Sequence, residues 1–572
     1  MKKFCAILNK NKEIIFDILA IILIILFAIG ISPKRLQNDT FYTVTIGKLI
    51  SENGIDGQDH FSWHEGLPYE YPHWLYDFGM YHIYNLGGWD AIYISTIVFA
   101  SILGICIYFV NSMLSKNKVV SFIVTIAVLY LIKGYIAARA QLVTFTLFIL
   151  FVYNIERFIQ TKRIKNAVAL LIIHVLIANL HVAVWPFTFI LYLPYIAEYL
   201  ISEIIDIVLY KKVRILFIKD EIKNMNKKLK NGKLNSKKTI KVKNRLQRFC
   251  TKLEIVQGKA EKIRIKREKN QDNSYKVVIN KNKAVRWLIV IMIIAIFTGL
   301  LTPLGKTPYT YTYDTMKGST VKNINEHLPL TLIQNTEMLC TLIIILALVT
   351  FTKIKIRLSD VFMLGGLIYL MFSSRRQQSM FILIGSIAFV RMINELIKIT
   401  FKCSLEEISA KLINKFTMFI ITAIMISLSL NMYGKIKNDK YISTSTYPVE
   451  ASEWILKNLD VKKIKLYNEY NYGSYLLYKG IPVFIDSRAD LYAPEFNSPT
   501  DNYSDGRRIF DDFINCSNLG TYYGEIFEKY EITHVIVYKN SKVNMIITKT
   551  DLEKFKELYS DDYFVIYEVL NY

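Results

Sequence analysis

Between an apolar run that ends near residue 32 and another that begins near residue 90, the chain carries Asp39, Asp59, His60, His64, Glu65, Glu70, His73 and Asp77. Carboxylates and imidazoles at that density are the side chains of proton transfer and of metal ligation. Asp39 sits in "NDTFYTVTIGKLI", where Asn or Asp ahead of a helical pattern also reads as a helix N-cap. Asn38 can supply such a cap while Asp39 does chemistry. His60 and His64 stand four apart, with Asp59 and Glu65 beside them, and would share one face of a helix, so a divalent metal stays open at His60, His64 and Glu65. Gly57, Gly66 and Pro68 interrupt that segment, and Phe61 and Trp63 suit an interfacial helix or a stacking wall. Glu70, His73 and Asp77, in "EYPHWLYD", precede a second juxtamembrane helix whose first turn would hold Pro72, and suit contacts to a polar ligand as well as they suit catalysis.

The elements that must position these residues are membrane helices. A chain of 572 residues with 52% hydrophobic composition does not have the profile of a soluble enzyme. Crossing a ~30 Å hydrocarbon layer takes about 20 helical residues. Apolar runs near 13–32, 90–111, 119–137, 140–156, 167–181, 184–204, 287–302, 334–352, 359–374, 377–397 and 416–432 give eleven candidate spans. The first run is too long for a signal-peptide core and is read as a retained helix. Short loops rich in Lys and Arg stay in the cytoplasm. Lys2, Lys3, Lys10 and Lys12, then Lys116 and Lys118, then Arg157 to Lys165, then Lys353 to Arg357, then Lys398 to Lys415 all fall on one face if every run crosses once. The N-terminus is then cytoplasmic, and an odd number of crossings leaves residues 436–572 outside. The expected fold is a polytopic α-helical membrane protein with a C-terminal extracytoplasmic α/β domain. Its parts are an N-terminal membrane module (1–204) carrying the outer loop 33–89, an insertion (205–286), a second membrane module (287–435) and the outer domain (436–572).

The net charge of +23 resembles a nucleic-acid signature, yet residues 211–286 hold 26 Lys plus Arg against 6 Asp plus Glu, an excess of +20. Nearly all the charge is one insertion. Within it Ile218, Ile222, Met225 and Leu229, and then Val242, Leu246, Phe249, Leu253 and Val256, recur at three- and four-residue spacing. A cytoplasmic helical hairpin with a narrow apolar seam is expected, resting on anionic lipid headgroups along 211–286, and no nucleic acid is expected as a partner. Of six cysteines only Cys516 lies in the outer region, so no disulfide framework is available there. That region reads as helix at "VEASEWILKNL", strand at "KIKLYNEY", helix at "GSYLLYKG", buried strand at "IPVFID", helix then strand in "GEIFEKYEITHVIVYK", and a last strand at "DYFVIYEVL". Asp486, Arg488 and Asp490 stand at the expected end of the "IPVFID" strand and suit salt bridging, or ligand recognition.

Other polar residues fall on the same outer face: Arg139, Asn179, His181, Glu326, His327, Arg375 and Arg376. Charge at membrane depth is expensive and tends to be functional, although an Arg at a span end also snorkels to the interface. Guanidiniums at headgroup level suit a phosphate diester, because the planar fork bonds two of its oxygens at once.

In order along the chain, "NDTFYTVTIGKLI", "EYPHWLYDFGMYHIYNLGG", "ARAQLVTFTLFILFVYNIERF", "LIANLHVAVWP", "TPLGKTPYTYTYD" with "INEHLP", "SSRRQQSMFILIG" and "YNEYNYGSYLLYKGIPVFIDSRADLY" resemble the GT-C superfamily of integral-membrane glycosyltransferases. The likeness is to bacterial relatives of the dolichyl-phosphate-mannose protein mannosyltransferases, glycosyltransferase family 39. The resemblance implies a sugar transferred on the outer face from a polyprenyl-phosphate-linked donor to an envelope polymer, lipid or protein, with Asp39 at the position of the acid that acts on the acceptor. Many relatives carry two adjacent acids there, where this chain has Asn38-Asp39. Inverting transfer needs one carboxylate to take the acceptor proton, because the phosphate leaves already charged. Arg375, with Arg376 or Arg139 as substitutes, would hold that phosphate. Glu70, His73, Asp77, His181 and Glu326 would contact substrate or acceptor. Two alternatives remain at this point: a transporter or flippase of a lipid-linked glycan, and an inactive scaffold of envelope assembly, for which Asn38 is the ground.

Overall fold

The computed structural model describes residues 2–230, 235–273, 276–318, 320–497, 499 and 506–572. The N-terminal half is helical: α1 (Lys2–Ile31), α2 (Asn38–Asn53), α3 (Trp74–Ser115), α4 (Lys118–Leu131), α5 (Ala140–Thr161), α6 (Ile164–Leu180), α7 (Trp185–Ile190) and α8 (Leu193–Val208). Among the described residues, six helical stretches are long and apolar enough to cross a membrane: Lys12–Ile31, Trp74–Ser115, Ala140–Thr161, Val182–Val208, Arg375–Phe401 and Lys415–Ile436. Five shorter apolar helices fall on the remaining runs, at Lys118–Leu131, Ile164–Leu180, Val285–Leu300, Thr336–Phe351 and Leu358–Ser373.

Helix α3 combines two pieces. Gly87 and Gly88 break its helical dihedrals, and Gly88 takes φ +60, which a side chain tolerates poorly. The break separates a juxtamembrane piece from the apolar span. The helix starts at Trp74 with His73 as N-cap, so Pro72 stands ahead of the first turn, not in it.

The basic insertion folds into α9 (Lys212–Lys230) and α10 (Ser236–Asn273), packed on each other. Ile218, Met225 and Val256 of the expected seam are buried, and Ile222, Leu229, Val242, Leu246, Phe249 and Leu253 are half-buried, while the flanking lysines are exposed. Its base is cross-linked by Glu203, whose carboxylate takes Lys212 (2.6 Å), Lys281 (3.1 Å) and Arg286 (3.2 Å).

The second helical module contains α11 (Val285–Ile296), α12 (Thr307–Lys317), α13 (Thr320–Asn323), α14 (Thr336–Phe351), α15 (Leu358–Ser373), α16 (Gln378–Phe401), α17 (Leu405–Leu412) and α18 (Lys415–Ile436), and α18 packs on α1. The short strands β1 (Val277–Val278) and β2 (Ile356–Arg357) pair in parallel between the modules. At the hairpin end of the bundle Glu156 of α5 accepts Arg357 (2.6 Å) and Arg391 (2.8 Å), Arg391 reaches Asp360 (2.6 Å), and the Tyr195 hydroxyl donates to Glu156 (2.8 Å). Two arginines and two acids balance there, tying α5, α8, α15 and α16 together at the end opposite Arg139.

Residues 449–572 form α19 (Val449–Asn458), β3 (Leu466–Tyr467), α20 (Tyr470–Tyr478), α21 (Ile509–Asn518), α22 (Tyr523–Tyr530), β4 (His534–Tyr538), α23 (Lys542–Lys549), β5 (Phe555–Ser560) and β6 (Phe564–Val569). The sheet order is β3-β4-β6-β5, with β3 and β4 parallel and the other pairs antiparallel. "IPVFID" is buried as expected but adds no strand to this sheet. Val483 instead exchanges backbone hydrogen bonds with the first loop, its N–H donating to the Phe61 carbonyl (3.1 Å) and its carbonyl accepting from Trp63 (3.3 Å).

That exchange reflects a wider sharing of core. One apolar cluster lies among the membrane helices, and a second joins α2, the loop up to Trp74 and the C-terminal α/β region. Phe41 of α2, fully buried, meets the rings of Trp89, Tyr447, Tyr475 and Tyr478. The loop is pinned as well: Arg488, 2% exposed, bonds Asp59 (2.7 Å) and Asp486 (2.7 Å), the Trp63 indole N–H donates to the Leu466 carbonyl (3.0 Å), and the His64 ring reaches the Phe484 carbonyl (2.9 Å). The α/β region therefore shares its core with the first loop.

Candidate functional site

Helix α2 begins where apolar residues Phe41, Val44 and Ile50 must turn one face inward, and Gln37 is its N-cap, with no side-chain cap. Asn38 and Asp39 thus occupy the first turn and cap nothing, which corrects the capping expectation for both. The Asn38 amide donates to the Tyr470 carbonyl (2.9 Å) and ties α2 to α20. The Asp39 carboxylate is free to reach Arg139, 2.5 Å away. Arg139 is the N-cap of α5, and its second guanidinium nitrogen lies 3.2 Å from Glu326. One arginine therefore stands between two carboxylates. Burial tends to raise the Glu326 carboxyl, but the Arg139 and Arg376 guanidiniums hold it below its ordinary range.

Glu326 is placed by backbone bonding: its carbonyl accepts the Arg376 N–H (2.9 Å), and the Leu328 carbonyl accepts the Arg375 N–H (2.9 Å). This short pairing directs the two arginines apart. Arg376 enters the cavity, its Nη2 3.4 Å from His181 Nε2, while the Arg375 Nε turns to the Pro329 carbonyl (3.4 Å). Arg375, expected first among the arginines, therefore does not line the cavity, and Arg376 does. A guanidinium can only donate, so His181 Nε2 accepts and its Nδ1 carries the proton, facing Thr144 Oγ1 at 3.4 Å. The His73 ring lies 4.8 Å from that of His181. Burial, then the neighbouring arginines, push His73 down to about 3, and burial pushes His327 down to about 4. These imidazoles are neutral at physiological pH.

Asp39, Arg139, Glu326, Arg376, His73 and His181 line one side of a cavity of about 540 Å³. Glu70 and Asp490 line it as well, and burial raises the carboxyls of both. Asp490 accepts from the Tyr311 hydroxyl (2.7 Å), with Thr320 at 3.3 Å and Thr315 at 3.4 Å. Aromatic side chains of Tyr42, Tyr69, Tyr470, Phe496, Phe510 and Phe513 line the cavity too. Beneath Asp39 a space of about 30 Å³, bordered by Thr43, Tyr76 and Gln141, has room for one water. Guanidiniums, carboxyls and aromatic rings lining one cavity suit a ligand that carries an anionic group and many hydroxyls.

No protein-family model matches the chain, and no curated protein matches it.

Of the residues expected at the site from sequence, Asp39, Arg139, Arg376, Glu70, His73, His181 and Glu326 meet in this cavity. Asp77 does not line it. Its side chain is fully buried in the contact of α2 with α3. The metal candidates are separated: the loop is not helical at 59–65, His60 pairs with Asp56 (2.5 Å), His64 is buried against Trp63 and Phe484, and Glu65 is exposed. Among the described residues, no three His, Cys, Asp or Glu side chains are arranged to hold a metal. Sequence reasoning missed Tyr311 and Thr315, whose four-residue spacing on α12 in "TPYTYTYDT" places both on the cavity, and it missed Phe510 and Phe513 of α21.

Proposed function

We propose that the chain is a membrane glycosyltransferase of GT-C type, moving a sugar from a polyprenyl-phosphate-linked donor to a hydroxyl acceptor of the cell envelope on the outer face. The observation that carries this reading is the pairing of the Asp39 carboxylate with the Arg139 guanidinium in a cavity that Arg376, further carboxyls and aromatic rings also line. In this reading all eleven apolar helices cross, the N-terminus and the α9–α10 hairpin are cytoplasmic, and residues 436–572 are outside. Every cavity residue on a bundle helix lies at an end remote from the hairpin: the start of α5, the residue after α6, and the turn before α16.

The donor phosphate takes N–H groups of Arg376 and Arg139, which draws Arg139 from Asp39 and frees the carboxylate. Asp39 accepts the proton of the acceptor hydroxyl as its oxygen bonds the anomeric carbon. The bond from that carbon to the phosphate oxygen breaks, its electron pair stays with the phosphate, and the lipid phosphate leaves with one more negative charge, facing the two guanidiniums. Glu70 and Asp490, whose carboxyls burial raises, offer hydrogen-bond partners to sugar or acceptor hydroxyls.

The test is transfer of labelled sugar from a synthetic polyprenyl-phosphate donor by membranes holding the full chain, compared with Asp39→Asn membranes. Transfer by the native chain and its loss in the variant support the reading. Binding of donor without transfer by the native chain would replace it with a scaffold, and movement of donor across the bilayer without transfer would replace it with a flippase.

A further inference from the structure

Away from the outer cavity, α9 and α10 enclose a groove of about 780 Å³. Its lining contains Lys211, Arg214, Arg248, Lys252 and Lys259 and no acidic side chain. These differ from the lysines at the hairpin base, which Glu203 neutralises. No carboxylate pairs with any of the five among the described residues. On α10 the spacing is informative: Arg248, Lys252, Ile255, Lys259 and Ile263 recur every three or four residues and form one stripe beside the seam. Ile255 is 54% exposed and Ile263 40% exposed, so the stripe sets uncovered apolar surface between uncovered cations.

The position of this stripe identifies what covers it. Lys211 follows Val208, the last residue of the apolar stretch Val182–Val208, by three residues, a reach of roughly 10 Å. Exposed apolar side chains recur on both sides of that junction, at Ile207, Val208 and Leu209 and then, among the cations, at Val213, Leu216 and Phe217. A helix with basic and apolar residues on its open surface, directly following a candidate span, belongs in the headgroup layer. Lysine and arginine stems lie along apolar surface while their charged ends meet phosphate. A nucleic acid would use aromatic faces for its bases, and the groove lining has none among the described residues.

We propose that the α9–α10 groove is a binding site for acidic phospholipid, its phosphate held by Arg248, Lys252 and Lys259 with Lys211 and Arg214 facing them, and its acyl portion lying on Ile255 and Ile263. The site is separate from the outer cavity and does not depend on the reaction carried out there. It fixes the hairpin against the membrane surface instead of leaving it in solution.

The experiment is native mass spectrometry of the full-length protein in detergent, titrated with phosphatidylglycerol and, separately, with phosphatidylcholine. Removing one surface cation weakens such binding about fivefold, so Arg248→Gln/Lys252→Gln/Lys259→Gln should lower phosphatidylglycerol retention on the order of 100-fold. Ile255→Ser/Ile263→Ser should weaken it by roughly tenfold with the charge intact. All five positions lie outside the buried seam, and elution of each variant at the native position checks its fold. Preference for phosphatidylglycerol, lost in both variants, supports the site. Equal retention of the two lipids, or unchanged retention in the triple variant, overturns it. Displacement of the lipid by millimolar inorganic phosphate would assign a small soluble anion, and tighter binding of a single-stranded RNA oligomer would assign a nucleic acid; either result overturns the lipid assignment.

Discussion

Arg139 and Asp39 are 2.5 Å apart, and Glu326 holds the other side of the same guanidinium. Asp39→Asn keeps nearly the same shape and leaves Glu326 to neutralise Arg139, so the variant should insert and fold. It cannot take a proton, and transfer should fall by a factor of about 100 or more in the membrane assay. The paired arginines give a sharper comparison. Arg376 enters the cavity and Arg375 turns to a carbonyl outside it. Lysine keeps the charge but not the planar fork, and losing a charged hydrogen bond costs on the order of 1–3 kcal/mol, or about 5- to 150-fold. Arg376→Lys should therefore raise the donor concentration needed for half-maximal transfer, while Arg375→Lys should behave like the native chain. A shift in Arg375→Lys alone would reverse the assignment. From sequence the two arginines are indistinguishable neighbours, because what separates them is the pairing of residues 326–328 with 374–376 across nearly fifty positions. Asp39, by contrast, was readable from its type and place, since a carboxylate opening a helix beside the membrane has few roles.

Local patterns predicted helices better than they predicted partners. The eleven apolar runs each fall on a helix, and the hairpin seam follows the three- and four-residue spacing, because those periodicities are written in adjacent residues. "IPVFID" reads as a strand for the same reason, yet its backbone partner is the loop near Phe61, more than four hundred residues away, and nothing local encodes that. The contact of α2 with α3 rests on a similar long-range fit. A Cβ on Gly47 would stand 2.1 Å from the Asp77 carbonyl oxygen and 2.7 Å from the Tyr81 Cβ, so backbone must move. Gly47→Ala should lower stability by about 1–3 kcal/mol or more and displace Asp39, read as a lower melting temperature together with weakened donor binding. Helix α20 offers a pH test. Its N-cap Glu469 takes the Tyr472 backbone N–H, and the Glu469 N–H donates to the Tyr472 hydroxyl (3.2 Å). Burial pushes the Glu469 carboxyl up to about 7, with hydrogen bonds from Tyr538 and Tyr472 opposing it. The folded state holds a proton that the unfolded state releases near 4.5, so this contribution is full below that value and is lost as pH rises through about 7. Glu469→Gln removes the titration. Its thermal stability should exceed that of the native chain by on the order of 2 kcal/mol at pH 8, with the difference shrinking toward pH 5. A difference independent of pH would refute the assignment.

Taken whole, the molecule divides its charge between two ends. The cavity gathers Asp39, Arg139, Glu326 and Arg376 near the ends of apolar helices, and the opposite end carries the balanced Glu156, Asp360, Arg357 and Arg391 network and then the basic hairpin. The latch between the first loop and the C-terminal region makes the cavity end one body. Arg488→Ala would leave Asp59 and Asp486 buried without a cation, a loss of about 3–5 kcal/mol, and should expose the loop to proteolysis near residues 54–66. Which end faces the cytoplasm decides the proposed function, since the proposed transfer from a lipid-phosphate donor requires Asp39 to lie outside. Lys and Arg excess holds short loops inside, and the hairpin's excess is the largest in the chain. Lys238 on α10 and Lys542 on α23 are both exposed, so cysteines placed there react readily with a maleimide that can reach them. In a chain with its own cysteines replaced, Lys238→Cys should stay unlabelled by a membrane-impermeant maleimide in intact cells and react after permeabilisation. Lys542→Cys should react in intact cells. Labelling of the first site in intact cells would place the hairpin outside and the Asp39 cavity inside, where an outward transfer reaction is excluded.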